Sequence, residues 1–145
     1  MKIYGHFAIS SVFSLMLYFL TGSLKVSLPA FLTGVLIDID HLFDYWYDRG
    51  GIKLSVKDFF DRCEKNKLRK YFVFLHSIEV LFLFILLYFL FLRKEIVLGI
   101  ILGMSCHIVC DYLTNGVSVL TYFLYIRQKH NFDSLKLLTP MSKRK

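Results

Sequence analysis

The sequence predicts an all-α fold: a multi-pass membrane helical bundle of about four transmembrane helices, with a short cytoplasmic surface helix and a C-terminal amphipathic segment. Three observations predict it. Hydrophobic residues make up 56% of the 145-residue chain and mean hydropathy is +0.54, whereas a soluble domain lies nearer half apolar. The apolar residues come in blocks too long for a soluble core. The Lys and Arg behind the net charge of +7 gather in one internal loop and the C-terminal tail, as they do in cytoplasm-facing loops. That distribution favours a lipid bilayer as partner and argues against nucleic acid. The length suits a single integral-membrane domain over residues 1–145. Cys63, Cys106 and Cys110 are an odd number at no framework spacing and read as reduced thiols.

The first apolar segment covers residues 3–20 and stops at Thr21-Gly22, a helix-stop signal. It lacks a small-residue cleavage site and reads as a retained span. His6, Ser10 and Ser14 recur every four residues and form a polar stripe on it. The second segment covers 28–47, with Pro29 expected in its first turn. It meets an acidic motif and then Phe43, Tyr45, Trp46 and Tyr47, an interfacial belt, and Arg49-Gly50-Gly51 ends it. Residues 48–70 form the one strongly charged loop. Within it, Ser55 followed by Asp58 marks a helix start, with Val56, Phe59, Phe60 and Cys63 on one face of a helix lying on the membrane.

The third segment, 71–92, is the longest apolar run and reads as the clearest span, followed by a tight turn at Arg93-Lys94-Glu95. The fourth, 96–113, carries Gly99, Gly103, His107 and Asp111 at strict four-residue spacing. The glycines admit a neighbouring helix, and the same ridge then delivers His107 and Asp111. Asn115-Gly116 stops it. Residues 117–126 are apolar but too short to span and read as interfacial or re-entrant. The tail, 127–145, is basic, polar and expected to be mobile at its end.

Ionisable side chains at membrane depth are costly and mark functional sites. Here they are segregated. His6 begins the first span, Asp38, Asp40 and His41 end the second, His76 and Glu79 begin the third, and His107 and Asp111 end the fourth. With alternating spans, all lie within about three helical turns of one surface. The Lys/Arg excess of the 48–70 loop makes that surface cytoplasmic, with both termini on the same side. Asp38 pairs with His41 (i, i+3) and His107 with Asp111 (i, i+4). Asp40 lies about 200° round an ideal helix from Asp38, so either it serves another role or the helix breaks there. Asp44 and Asp48 read as interfacial, and Cys106 and Cys110 turn away from His107.

Four imidazoles and three carboxylates converging in a bundle suit zinc, iron or manganese. The expected metal ligands are His6, Asp38, Asp40, His41, His76, His107 and Asp111, holding one or two divalent ions, zinc first. Seven ligands exceed one tetrahedral site. Asp40 or Glu79 is the expected proton acceptor for a metal-activated water.

The motifs themselves carry a resemblance. Gly5-His6, Asp38-Ile39-Asp40-His41, His76-Ser77, and His107-x-x-x-Asp111 followed by Thr114-x-Gly116 resemble the YdjM-like family of membrane-bound, predicted metal-dependent hydrolases over about residues 4–116. The resemblance extends more distantly to zinc-dependent phospholipase C and its nuclease relatives, helical enzymes that cleave phosphoesters with zinc held by His and Asp. It implies the same ligand set and a phosphoester or lipid-like substrate at the cytoplasmic membrane face. Glu79 follows His76 by three residues rather than four, and the free amino-terminal ligand of those enzymes has no counterpart, so the resemblance does not extend to a three-metal cluster. The competing expectations are a non-enzymatic metal, proton or transport site, and a structural bundle whose polar residues only pair helices.

Overall fold

The computed structural model describes residues 3–52, 55–65, 67–92, 94–115 and 117–138, and these are helical throughout apart from turns and a single Lys70–Asp133 bridge. Helix α1 (Ile3–Thr21) ends where Gly22 takes a left-handed φ of 66° and its amide donates to the Tyr18 carbonyl. Helix α2 (Leu24–Leu36) follows at once, so Pro29 sits inside the helix rather than in its first turn as expected. Ser23 caps α2 in an extended conformation, which starts the helix four residues early. A 3-10 turn, Ile37–Asp40, then separates α2 from α3 (His41–Arg49).

Helix α4 (Val56–Glu64) starts at Ser55 as the sequence predicts. It is docked on protein rather than lying free on a surface. Phe59 and Cys63 pack against a core of Tyr45, Leu68, Tyr71, Val73 and Leu137, and the Tyr45 hydroxyl donates to Asp58 at 2.9 Å. Val56 alone of the expected apolar face is well exposed.

The third apolar segment departs from expectation. Residues 71–77 are not part of a long helix. They hold one 3-10 turn, Phe74–His76, and helix α5 (Ile78–Leu87) begins only after Ser77, running into a π-helical stretch at Tyr88–Leu92. Their backbone groups bond to side chains instead. Asp44 accepts from the Phe72 amide and Asp40 from the Leu75 amide, both at 2.8 Å. Arg127 Nη1 donates to the carbonyls of Phe72 and Val73 at 2.6 and 2.5 Å. Val73 sits at φ 34°, a costly conformation for a β-branched residue that persists only where neighbours over-determine it.

Helix α6 (Glu95–Asn115) packs chiefly on α2, which also packs on α1. A Cβ on Gly103 would strike the Ala30 carbonyl and lie 3.0 Å from its Cα, and one on Gly99 would strike the Val26 carbonyl. The glycine ridge therefore brings two backbones together, as its spacing predicts. Ser10 of the α1 stripe is buried against Gly34, and Ser14 donates to the Ser27 carbonyl at 2.7 Å.

The C-terminal segment is helical and partly buried. A 3-10 turn at Val119–Tyr122 leads to α7 (Leu124–Lys129) and α8 (Ser134–Leu138), with Arg127 and Leu137 each only 2% exposed. The far end of the tail, 139–145, lies outside the described residues.

Among the described residues, three helices are long and apolar enough to cross a membrane: Tyr4–Thr21, Leu24–Arg49 and Glu95–Asn115. At 1.5 Å per residue, the 21 residues of α6 reach about 31 Å, matching a hydrocarbon core of about 30 Å. Their outward faces carry large apolar side chains such as Val12, Leu15, Phe19 and Leu113, a surface that suits lipid better than water. The helix of the third segment is shorter, with an apolar stretch of Ile78–Leu90.

Candidate metal centre

The four dispersed polar positions meet. His6 reaches in from the start of α1, Asp38 and Asp40 from the 3-10 turn, and His41 from the start of α3. His76 comes from the irregular segment before α5, and His107 and Asp111 from the last turns of α6. The 3-10 turn resolves the Asp38/Asp40 dilemma. Its tighter winding lets both carboxylates face His76, Asp38 Oδ1 lying 3.2 Å from Nε2 and Asp40 Oδ1 lying 3.1 Å from Nδ1.

Asp38 is the hub. Its Oδ1 is 3.2 Å from His76 Nε2, 3.4 Å from His107 Nε2 and 3.8 Å from His41 Nε2. Each of these three imidazoles turns its other nitrogen to an acceptor outside the hub. His107 Nδ1 lies 2.8 Å from the Gly34 carbonyl, His76 Nδ1 faces Asp40, and His41 Nδ1 is 3.4 Å from Asp44. A carbonyl oxygen only accepts, so His107 carries a proton on Nδ1, which leaves Nε2 as the ring atom that a metal ion would take. An outer partner on one ring nitrogen is how metal-binding histidines are oriented.

His76 Nε2 and His107 Nε2 stand 3.2 Å apart. If both rings hold their proton on Nδ1, two lone pairs face each other, an arrangement that calls for a cation between them. His6 stacks on His107 with centroids 4.0 Å apart, and its Nε2 is 3.2 Å from Asp111 Oδ1. Two sets of donors lie within 4.8 Å of one another: His6, Asp38, His107 and Asp111, and Asp38, His41 and His76. Tetrahedral zinc with bonds of 2.0–2.1 Å separates its ligand atoms by about 3.3 Å. The contacts of 3.2–3.4 Å among His76, His107 and Asp38 match that edge. The donor set therefore fits a divalent ion.

Of the expected residues, His6, Asp38, His41, His76, His107 and Asp111 converge on this centre. Asp40 stands one shell out, held by the Leu75 amide and orienting His76. Glu79 is not brought in, since both its oxygens accept from the amides of Leu124 and Tyr125 at the start of α7. Cys106 and Cys110 are free, half-buried and outside both donor sets.

Two residues were missed. Asp44, expected at the interface, is fully buried and holds both His41 and the Phe72 amide. Arg127, read only as the first residue of a basic, polar tail, is buried against the segment that carries His76. Asp44 had a signal, since it lies three residues after His41 on one helix face. Arg127 had none, because its partners lie more than fifty positions away in sequence.

A cavity of about 840 Å³ opens beside the centre. His6, Asp38, His41, His76, Asp111 and Arg127 are among the residues that line it. No family model matches this chain, and neither a curated protein nor a solved structure matches it.

Proposed function

We propose that this chain is a membrane-embedded, metal-dependent hydrolase of the YdjM-like type, acting on a phosphoester or lipid-like substrate at the cytoplasmic membrane face. One observation carries the reading. Two inward-facing imidazole nitrogens, those of His76 and His107, stand at ligand-edge distances from one carboxylate, each ring held from behind by an acceptor, and a third, that of His41, stands at 3.8 Å. Zinc is the favoured ion, with manganese or iron compatible with the same donors. A divalent ion held there supplies Lewis acidity and an acidified water.

The chain's own residues supply the rest. Asp40, Asp44 and the Gly34 carbonyl hold the rings of His76, His41 and His107 in place. Asp38 and Asp111 line the cavity, whereas Asp40 and Glu79 do not. The role of proton acceptor therefore passes to Asp38 Oδ2, the oxygen outside the His76, His107 and His41 contacts, on a side chain a quarter accessible. The apolar cavity wall excludes water around the reacting group.

For the membrane, α1, the α2–α3 unit and α6 cross, and the shorter α5 makes the fourth crossing. The basic 48–70 loop and both termini face the cytoplasm.

A second reading has its own observation. Every donor in the cluster has an ion-pair or hydrogen-bond partner within 3.9 Å, so the same groups could bind protons and join helices with no metal.

Elemental mass spectrometry on detergent-purified protein decides between them, with wild type beside His107→Ala and Asp38→Ala. The hydrolase reading expects one or two equivalents of zinc, manganese or iron in wild type, lost in both variants, and turnover of a phosphoester that falls with the metal. No bound metal after reconstitution would reject it in favour of proton binding or helix pairing.

A further inference from the structure

We propose that Arg127 is the receptor for a phosphoryl group of an amphipathic ligand occupying the cavity beside the His/Asp centre. The inference rests on the hydrolase reading for its setting, but it is carried by different atoms.

Arg127 is 2% exposed and lines the cavity. Its Nη1 is engaged by the carbonyls of Phe72 and Val73. Its Nε and Nη2 are buried and have no hydrogen-bond partner among the described residues. A guanidinium does not give up its proton at any ordinary pH, so a charged donor pair is left unanswered, a costly state for buried groups. Asp40, Asp44 and Glu79 lie near enough to be felt electrostatically, but no hydrogen bond joins them to Arg127 among the described residues: Asp40 bonds the Leu75 amide and His76, Asp44 the Phe72 amide, and Glu79 the amides of Leu124 and Tyr125, with one oxygen each of Asp40 and Asp44 buried and without a hydrogen bond as well.

The orphan atoms are not an arbitrary pair. Nε and Nη2 form one edge of the planar fork, with two nearly parallel N–H bonds, and that edge takes two oxygens of one oxyanion. A carboxylate would use both its oxygens on that edge. A phosphoryl group keeps at least one more oxygen for the cavity that Asp38 and His76 also line. The remaining wall includes Leu36, Leu42, Phe59 and Phe60, and the volume of about 840 Å³ far exceeds a phosphate ion. A hydrocarbon chain attached to the phosphate fits this wall.

The test uses the full-length protein in detergent, stripped of metal by chelation, so it does not depend on turnover. Three probes are titrated calorimetrically: dihexanoylphosphatidate, dihexanoylglycerol and inorganic phosphate. Dihexanoylphosphatidate is expected to bind at least about tenfold more tightly than dihexanoylglycerol, and Arg127→Lys is expected to abolish that preference. Lysine keeps the charge and can still reach the two carbonyls, but it lacks the two-pronged edge. In wild type with ¹⁵N-labelled arginine, the Arg127 Nε–H resonance should shift on adding dihexanoylphosphatidate and stay fixed with dihexanoylglycerol.

Inorganic phosphate binding more weakly than the short-chain lipid supports a lipid headgroup. Equal binding supports a soluble phosphate ester at the same edge. Equal affinity for the two lipids, a preference retained in Arg127→Lys, or an unmoved Arg127 resonance would each overturn the proposal. The resonance decides if the lysine variant does not fold. Because the protein is metal-free, loss of the hydrolase reading leaves this result standing, and a metal-loaded enzyme with an indifferent Arg127 rejects this inference alone.

Discussion

Replacing Gly103 by alanine probes the contact that sets the depth of the centre. The new Cβ would strike the Ala30 carbonyl and stand 3.0 Å from the Ala30 Cα, where relaxed carbon contacts lie at about 3.5–4.0 Å. Backbone cannot rotate away as a side chain can, so α6 must withdraw from α2 by about 0.5–1 Å. His107 sits one turn along the same ridge, and its Nδ1 lies 2.8 Å from the Gly34 carbonyl on α2. The same displacement stretches that bond to about 3.3–3.8 Å, at or past the limit of a hydrogen bond. Overpacking of this kind costs about 1–3 kcal/mol, and loss of a ring-orienting partner weakens metal binding about 10–100-fold. Thermal unfolding in detergent and chelator competition for zinc measure the two effects. Ser105→Ala on the same helix is the control, since Ser105 bonds only to its own helix at the Ile101 carbonyl. A Gly103→Ala protein that melts with wild type and binds zinc equally would refute the argument that this backbone contact positions His107.

Three further outcomes are expected. Asp40→Asn should keep its acceptor for the Leu75 amide yet weaken zinc binding about 10–100-fold, because an amide orients the His76 ring less firmly than a carboxylate; unchanged affinity would remove Asp40 from the centre. Leu137→Ala should cost about 2–5 kcal/mol, read by chemical unfolding, because Leu137 is buried among Tyr45, Leu68, Tyr71 and Val73; a cost near zero would restore the mobile tail. For pH, the Tyr45 hydroxyl and then Arg62 hold Asp58 below the usual carboxylate range, and Lys65 and Lys67 hold Asp61 down at about 2. A depressed folded pKa stabilises above the unfolded value of about 3.9 and loses its effect as pH falls through the folded value. Fluorescence of Trp46, the single tryptophan, which packs against the core beneath α4, should therefore hold steady from pH 7 to about pH 4 and shift below it. A transition complete above pH 5 would contradict the assignment.

What the sequence makes legible here is what local spacing encodes. The four-residue repeat of Gly99, Gly103, His107 and Asp111 specifies a close helix contact and the side chains it delivers, and the structure holds all four buried on α6. The separation of about 200° between Asp38 and Asp40 leaves two readings open, another role for Asp40 or a change in the helix, and the 3-10 turn supplies the change. The irregular path of residues 71–77 is not legible in the same way. Its apolar composition is that of a span, and the groups that unwind it, Asp40, Asp44 and Arg127, act from positions far along the chain. One local cue was present: Ser77 directly before an apolar run is a helix start, which would have moved the beginning of α5 to its observed place. The burial of Arg127 and Leu137 depends on the same long-range packing, and the basic composition of the tail conceals it.

The grip of Arg127 on the Phe72 and Val73 carbonyls bears on how the protein is made. When a ribosome has released residues 1–115, every donor of the His/Asp centre already exists, together with all three long helices. The strained backbone that aims His76 still lacks the guanidinium that holds two of its carbonyls. His6 on α1 thus waits on Arg127 on α7, and the segment that aims His76 is complete only when α7 has packed against it. Chain termination anywhere between α6 and α7 would yield a product with its ligands complete and its geometry unfinished.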